Sequence, residues 1–173
     1  MTALDVGTGD GLLAAELREV VPQVTGLDVD PDVLDRACAS GADVSWMTGD
    51  VMSAELPEGR FDVVASIATF HHLPDLAAAF DRLAALTAPG GVLVVIGCAR
   101  SVRLGDYLMD ALGTIQHQVL SRTRGYWQHT ASVETRFPHS YAEVRDIAKA
   151  RLPGFSWRRL PLFRYAVVWR RAE

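Results

Sequence analysis

The chain has 173 residues, 49% hydrophobic and 22% charged, with a mean hydropathy of +0.12, which suits one globular domain and excludes a disordered chain. Two cysteines, Cys38 and Cys98, cannot form a disulfide framework and lack a metal-ligand spacing with histidine. The net charge of −4, the lack of any apolar run near the ~18 residues of a membrane span, and the early Asp5 and Asp10 where a secretory signal is apolar together predict a cytoplasmic protein without membrane contact.

Through the first hundred residues short apolar runs alternate with helical patterns, the signature of βαβ units on a parallel sheet. Strands are predicted at Ala3–Val6, Gln23–Asp28, Asp43–Met47, Phe61–Ile67 and Gly91–Gly97. The last two are almost continuously apolar and β-rich, as central strands covered on both faces are. Helices are predicted at Gly11–Glu19, at Pro31–Ala39 with Asp30 as cap, and at Leu76–Leu86 after Asp75, the last ended by Pro89-Gly90-Gly91.

Beyond Arg100 the pattern changes. Leu104, Tyr107, Leu108, Ala111, Leu112, Ile115 and Val119 recur at helical spacing, with Asp106, Asp110, His117 and two glycines off that apolar face. Ser121–His139 reads as irregular, and Ser140 with Glu143 forms a capping box that opens a helix to about Leu152. Phe155–Leu160 and Tyr165–Trp169 are spaced as a hairpin that adds antiparallel strands to the sheet edge. There is no repeat or linker, so residues 1–173 are expected to form a single domain.

The chemistry starts at Leu4-Asp-Val-Gly7-Thr-Gly9-Asp-Gly11, a strand running into a glycine loop and then a helix. Such a loop brings backbone close to a nucleotide-like ligand and offers it the free N–H groups of a helix start. Asp28 follows at the end of the next strand, where a carboxylate binds ribose hydroxyls. The spacing is G-x-G-x-G, not the G-x-G-x-x-G of dinucleotide sites, and Asp5 precedes it by two residues. That acid suits a cation better than a pyrophosphate. The charge distribution agrees: residues 1–99 hold four arginines and fifteen acids, a net of −11, while residues 100–173 hold thirteen bases and six acids, a net of +7.

Here the sequence resembles the class I S-adenosylmethionine-dependent methyltransferases, in particular the small-molecule branch typified by the ubiquinone/menaquinone C-methyltransferases. Beside the glycine loop, the resemblance rests on Val24-Thr-Gly-Leu-Asp-Val-Asp30, Gly49-Asp50-Val51, Phe61-Asp-Val-Val-Ala-Ser66, Phe70-His-His-Leu-Pro-Asp75 and Leu86-Thr-Ala-Pro-Gly-Gly-Val-Leu93. It implies a Rossmann-like, doubly wound, mostly parallel seven-stranded α/β sheet with a C-terminal antiparallel hairpin. It implies S-adenosylmethionine as cofactor, its methionine end on Gly7 and Gly9 with Asp5 organising the loop near the ammonium. Asp28 would bind the ribose with Val29 against the adenine, and Asp50 would accept from the adenine amino group beside the Val51 backbone. Ser66 and Ile67 would flank the methyl region.

Methyl transfer is an in-line displacement, so alignment and exclusion of water dominate, and an acceptor that loses a proton also needs a base. His71 and His72, just after the fourth strand, are candidate bases together with His129 and Tyr126, and either of the first two can instead order the loop. The absence of an Asn/Asp-Pro-Pro-Tyr sequence after that strand argues against an amino-methyltransferase acting on nucleobases or glutamine amides. Relatives carry an N-terminal helical segment that covers the cofactor, whereas this sequence opens on its first strand. Three readings follow: the natural start lies elsewhere, or residues 100–139 form the cover with Tyr126, Trp127 and His129 lining a substrate pocket, or a second subunit in a homodimer supplies it. The expected activity is methyl transfer to a small-molecule O, N or C acceptor. Alternatives are a cofactor-binding protein without catalysis and an RNA methyltransferase that uses the basic C-terminal part. Arg158, Arg159, Arg170 and Arg171 alternate with apolar residues, as charges guarding edge strands do, so no nucleic-acid partner is expected.

Overall fold

The structure is a computed structural model, and it describes residues 1–124 and 137–173. In chain order the elements are β1 (Thr2–Val6), α1 (Leu12–Arg18), β2 (Gln23–Asp28), α2 (Pro31–Ala39), β3 (Ser45–Thr48), β4 (Phe61–Ile67), a 3-10 turn (Phe70–His72), α3 (Leu76–Leu86), β5 (Thr87–Cys98), α4 (Leu104–Arg124), α5 (Tyr141–Arg151), β6 (Ser156–Leu160) and β7 (Arg164–Arg170). The seven strands form one sheet in the order β3-β2-β1-β4-β5-β7-β6. Pairing is parallel from β3 through β5, and β7 runs antiparallel to both β5 and β6. The order reverses at β1, so the switch point lies between β1 and β4, where open α/β sheets bind ligands at the carboxyl ends of their strands.

Local hydrogen bonds set the helix starts. The Asp30 carboxylate accepts from the Asp32 N–H at 2.9 Å, and Asp75 accepts from the Ala77 and Ala78 N–H groups at 2.9 and 3.0 Å. At α5 the capping box is complete: the Ser140 N–H donates to Glu143 at 2.6 Å and the Glu143 N–H to the Ser140 hydroxyl at 3.3 Å. Each such cap contributes about 1 kcal/mol.

Period-two alternation distributes the strands between two cores. Leu4, Val64, Leu93, Tyr165 and Val167 face α3 and α5, where the Phe70 and Phe80 rings meet at 4.4 Å. Ala3, Val24 and Val63 face the opposite cluster with Ala14 and Val21. Tyr165 stacks on Trp157 at 5.0 Å and lies across Gly97, where a Cβ would fall 2.6 Å from its hydroxyl.

Two expectations change. The helix α3 spans Leu76–Leu86 as predicted, but the fifth strand starts at Thr87 instead of Gly91: Thr87 is already extended and pairs with Phe61, the register then jumps to Val63 opposite Val92, and Pro89-Gly90-Gly91 lies within β5 instead of ending the helix. The helix α4 runs on to Arg124, past the start of the segment expected to be irregular. Its polar side is the anchored one. Asp110 pairs with Arg159 at 3.0 Å and accepts from the Ser101 hydroxyl, and Gly113 is buried against the backbone of Leu162 and Phe163. Among the described residues no helix is long and apolar enough to cross a membrane.

Candidate functional site

The glycine loop leaves β1 with Gly7, Gly9 and Gly11 all at positive φ, +72°, +55° and +77°. This alternation is open to glycine at little cost and strains other residues. The Gly7 and Thr8 N–H groups both donate to the Leu27 carbonyl, at 2.8 and 3.0 Å, which fastens the loop to the end of β2. Gly11 and Gly26 leave room for the Trp46 indole, since a Cβ on either would fall 2.4 or 2.6 Å from its ring. Trp46 thus supports the loop from β3. Glycine inside a strand signals such a close approach, and Gly26 pairs directly with Trp46, so that signal was present in the sequence.

Asp28 is bound to the same loop. One carboxylate oxygen accepts from the Gly9 N–H at 2.8 Å and the other from the Asp30 N–H at 3.0 Å. Each oxygen keeps a lone pair for an outside donor. Val29, next in the chain, is 66% exposed, an apolar side chain held out beside that carboxylate. Asp50 lies just past β3, the strand paired with β2, and accepts from the Met52 N–H at 2.9 Å, while the Val51 side chain is buried in the core and leaves only its backbone for a ligand.

Asp5 is the buried charge of the site, 2% exposed, and accepts from the Thr8 hydroxyl at 2.7 Å. Burial pushes its carboxyl up to about 6, the Asp28 charge pushes the same way, and hydrogen bonds from Thr8 and the Ala14 backbone oppose them. Near neutrality it is a buried anion without a cationic partner among the described residues, so a cation at the loop would relieve it.

At the carboxyl end of β4, the buried Ser66 hydroxyl has no hydrogen-bond partner among the described residues, and Ile67 is half-buried. Ala68 follows with φ +58°, a strained value for a residue with a Cβ. This kink turns Thr69 back over the glycine loop, where its hydroxyl lies 3.2 Å from the Gly7 carbonyl and 3.3 Å from that of Ile67. A Cβ on Gly7 would fall 2.0 Å from that hydroxyl. Neither Ala68 nor Thr69 was predicted, and no spacing pointed to them.

Two residues on, His71 is half-buried and its Nδ1 is enclosed without a partner among the described residues. Burial, reinforced by His72, pulls its pKa down to about 4, so the ring is neutral at pH 7. The two imidazoles lie 4.2 Å apart, and the Phe137 ring meets His71 edge-on at 5.1 Å. His72 is exposed. His71, Cys98, Phe137, His139 and Tyr165 line a narrow crevice of about 10 Å³, part of it open to solvent. Burial pushes the Cys98 thiol up despite Arg164 and Arg159 nearby, so it stays protonated.

The structure thus brings Asp5, Gly7, Gly9 and Asp28 into one hydrogen-bonded loop assembly, with Val29, Asp50 and Val51 on the neighbouring strand ends. Ser66 and Ile67 end β4, and His71 and His72 follow in the 3-10 turn beyond it. Tyr126, Trp127 and His129 lie outside the described residues. Several C-terminal arginines are used internally: Arg170 donates to the Gly90 carbonyl and Arg171 to that of Thr87, each at 2.7 Å, and Arg159 pairs with Asp110.

Comparison with known proteins bears on the family and the fold. A family profile described as a methyltransferase domain matches residues 4–95. An uncharacterized methyltransferase of Mycobacterium tuberculosis is 41% identical over 170 residues, which is 96% of this chain and 85% of the relative. A demethylmenaquinone methyltransferase of Thermus thermophilus is 36% identical over 99 residues, 54% of this chain and 45% of that protein, so the likeness to quinone enzymes is partial. Among solved structures, a SAM-dependent methyltransferase from Aquifex aeolicus shares the fold, with a TM-score of 0.67 at 20% identity over 98% of this chain and 81% of that one. With the matched profile spanning the strands that carry the glycine loop, Asp28, Asp50 and Ser66, the chain belongs to the class I S-adenosylmethionine-dependent methyltransferases.

Proposed function

We propose that the chain methylates a small-molecule acceptor whose reacting end enters the crevice beside His71, and that His71 takes the proton the acceptor loses. The observation that carries this reading is the enclosed, unpartnered Nδ1 of an imidazole kept neutral by burial. A general base must be unprotonated and within hydrogen-bond reach of the proton it takes; the neutral ring of His71 supports the first condition, and the second is the proposal's own requirement on how the acceptor enters.

The residues around the loop fit the cofactor. Asp28 retains acceptor capacity for two ribose hydroxyls, the exposed Val29 offers an apolar surface to the adenine, and Asp50 accepts from its amino group. No described atom lies within 4 Å of a Cβ built on Gly9, so backbone can meet the methionine end there, while buried Asp5 favours its ammonium. Ser66 and Ile67 flank the methyl region from β4. When bound, S-adenosylmethionine would supply a methyl group activated on a sulfonium, leaving its sulfur with the electron pair as the acceptor bonds to that carbon, and His71 would take the proton the acceptor loses. The protein's remaining work is to align acceptor and methyl and to keep water out, as the apolar wall of Phe137 and Tyr165 does.

Thermal shifts test the binding half. S-adenosylmethionine or S-adenosylhomocysteine at a hundredfold excess over its dissociation constant stabilises by about 2.7 kcal/mol. A shift with NAD and none with either adenosyl ligand overturns it. For the acceptor half, labelled methyl from S-adenosylmethionine is followed into small-molecule, protein and RNA fractions. Label confined to RNA or protein refutes a small-molecule acceptor.

A further inference from the structure

We propose that α4 is a dimerisation helix, its outward apolar face packing antiparallel against the same face of a second copy of this chain. A surface helix of a monomer turns its apolar stripe inward, and α4 does the reverse. Asp110, Ser101 and Gly113 tie its polar side to Arg159 and the β6–β7 turn, while Leu104, Tyr107, Leu108, Leu112, Ile115 and Val119 keep between 52% and 78% of their surface exposed. The orientation is fixed by an ion pair and a backbone contact, so the exposed stripe is not a helix swung loose.

The exposed area favours a second copy. The six side chains present on the order of 600 Å² of contiguous apolar surface, at the top of the range for a monomer's largest patch. A two-fold pair would bury about 1,200 Å², which reaches the lower bound of stable interfaces. At 21 residues the helix is about 31 Å long, enough for four to five layers of contact. An antiparallel pair opposes the two helix dipoles, whereas a parallel pair aligns them. With the axis between Ala111 and Leu112, Leu108 faces Ile115 of the partner subunit and Leu104 faces Val119 of the partner subunit.

The test is the mass of the intact chain in solution by light scattering and sedimentation, with Leu108→Glu and Ile115→Glu variants. Both positions are exposed, so an unchanged circular dichroism spectrum and a retained shift with S-adenosylmethionine separate lost association from lost folding. The expected result is a dimer whose dissociation constant rises at least about tenfold with either variant. In a Cys38→Ser background, a Leu104→Cys chain should crosslink with a Val119→Cys chain and not with itself. A wild-type monomer at tens of micromolar, a dimer indifferent to both glutamates, a Leu104→Cys chain that crosslinks to itself, or a monomer recovered on anionic vesicles overturns the proposal.

Discussion

Asp28 holds Gly9: a carboxylate oxygen at the end of β2 accepts the Gly9 N–H at 2.8 Å and fixes the middle of the glycine loop. One side chain therefore shapes the loop and, in the proposed reading, carries the ribose. Asp28→Ala should abolish the adenosyl thermal shift and lower stability by about 1–3 kcal/mol, since the Gly9 and Asp30 N–H groups both lose their acceptor. Asp28→Asn, which keeps one acceptor oxygen, should bind more weakly than wild type and more tightly than the alanine variant. Calorimetric titration with S-adenosylhomocysteine ranks the three, and equal affinity in all of them removes Asp28 from the site.

Gly7 and Gly9 should separate folding from binding. A Cβ at Gly7 lands 2.0 Å from the Thr69 hydroxyl, whereas at Gly9 it meets no described atom within 4 Å. Both carry positive φ, so either alanine costs about 1 kcal/mol in backbone strain, and Gly7→Ala adds a steric clash of roughly 1–3 kcal/mol. Gly7→Ala should therefore melt clearly lower than Gly9→Ala, yet Gly9→Ala should still lose adenosyl binding because its methyl occupies the open space over the loop. Conversely, Ala68→Gly should stabilise by about 1 kcal/mol, since glycine reaches φ +58° without penalty. Melting curves of the three variants decide the order.

What the sequence made legible was local. Asp30, Asp75 and the Ser140–Glu143 box announce helix starts because cap and amide lie two or three residues apart. The glycine loop and Asp28 are readable because strand, turn and helix succeed one another within the first thirty residues. Thr69 reaches Gly7 across 62 positions through a kink at an alanine, and no residue type there signals a positive φ. The helix α4 shows a different limit. Periodicity groups Leu104, Leu108, Leu112, Ile115 and Val119 on one face, but which side faces the protein depends on Asp110 meeting Arg159, 49 positions away.

That ion pair gives a third prediction. Asp110 and Arg159 keep only 25% and 15% of their side-chain surface exposed, and the guanidinium also lies 3.5 Å over the Tyr141 ring. Removing Asp110 leaves a largely buried cation against an aromatic face. Asp110→Ala should cost about 2–3 kcal/mol, less than a fully buried pair because solvent still screens part of it. Asp43, 87% exposed in its 2.5 Å pair with Arg18, should cost at most about 0.5 kcal/mol when changed to alanine. Urea denaturation of the two variants measures the contrast, and similar values for both refute a structural role for Asp110 in anchoring α4.

Asp5 and His71 give opposite pH dependences that single variants resolve. The folded-state pKa of Asp5 is raised from 3.8 to about 6, so the folded chain holds a proton that the unfolded chain releases. Its contribution to stability is present below pH 3.8 and is lost as pH rises through about 6, on the order of 3 kcal/mol in all. His71 is lowered from 6.5 to about 4, so its contribution is present above pH 6.5 and is lost as pH falls through about 4. In wild type the two slopes oppose each other between about pH 4 and 6. Asp5→Asn should therefore be more stable than wild type at pH 8, and its stability should fall more steeply on acidification, because only His71 remains. His71→Asn should show the reverse trend, gaining stability as pH falls. Function separates them again. Affinity for S-adenosylmethionine should weaken below pH 6 in wild type as the Asp5 anion is protonated, and Asp5→Asn should bind weakly at every pH. His71→Asn should leave that affinity intact and lower methyl transfer by about 10²–10⁴-fold, the usual contribution of a general base. Stability against pH and cofactor titrations at pH 5, 6.5 and 8 check each sign, and an Asp5→Asn variant that binds the cofactor as tightly as wild type at pH 8 refutes the role of that buried charge.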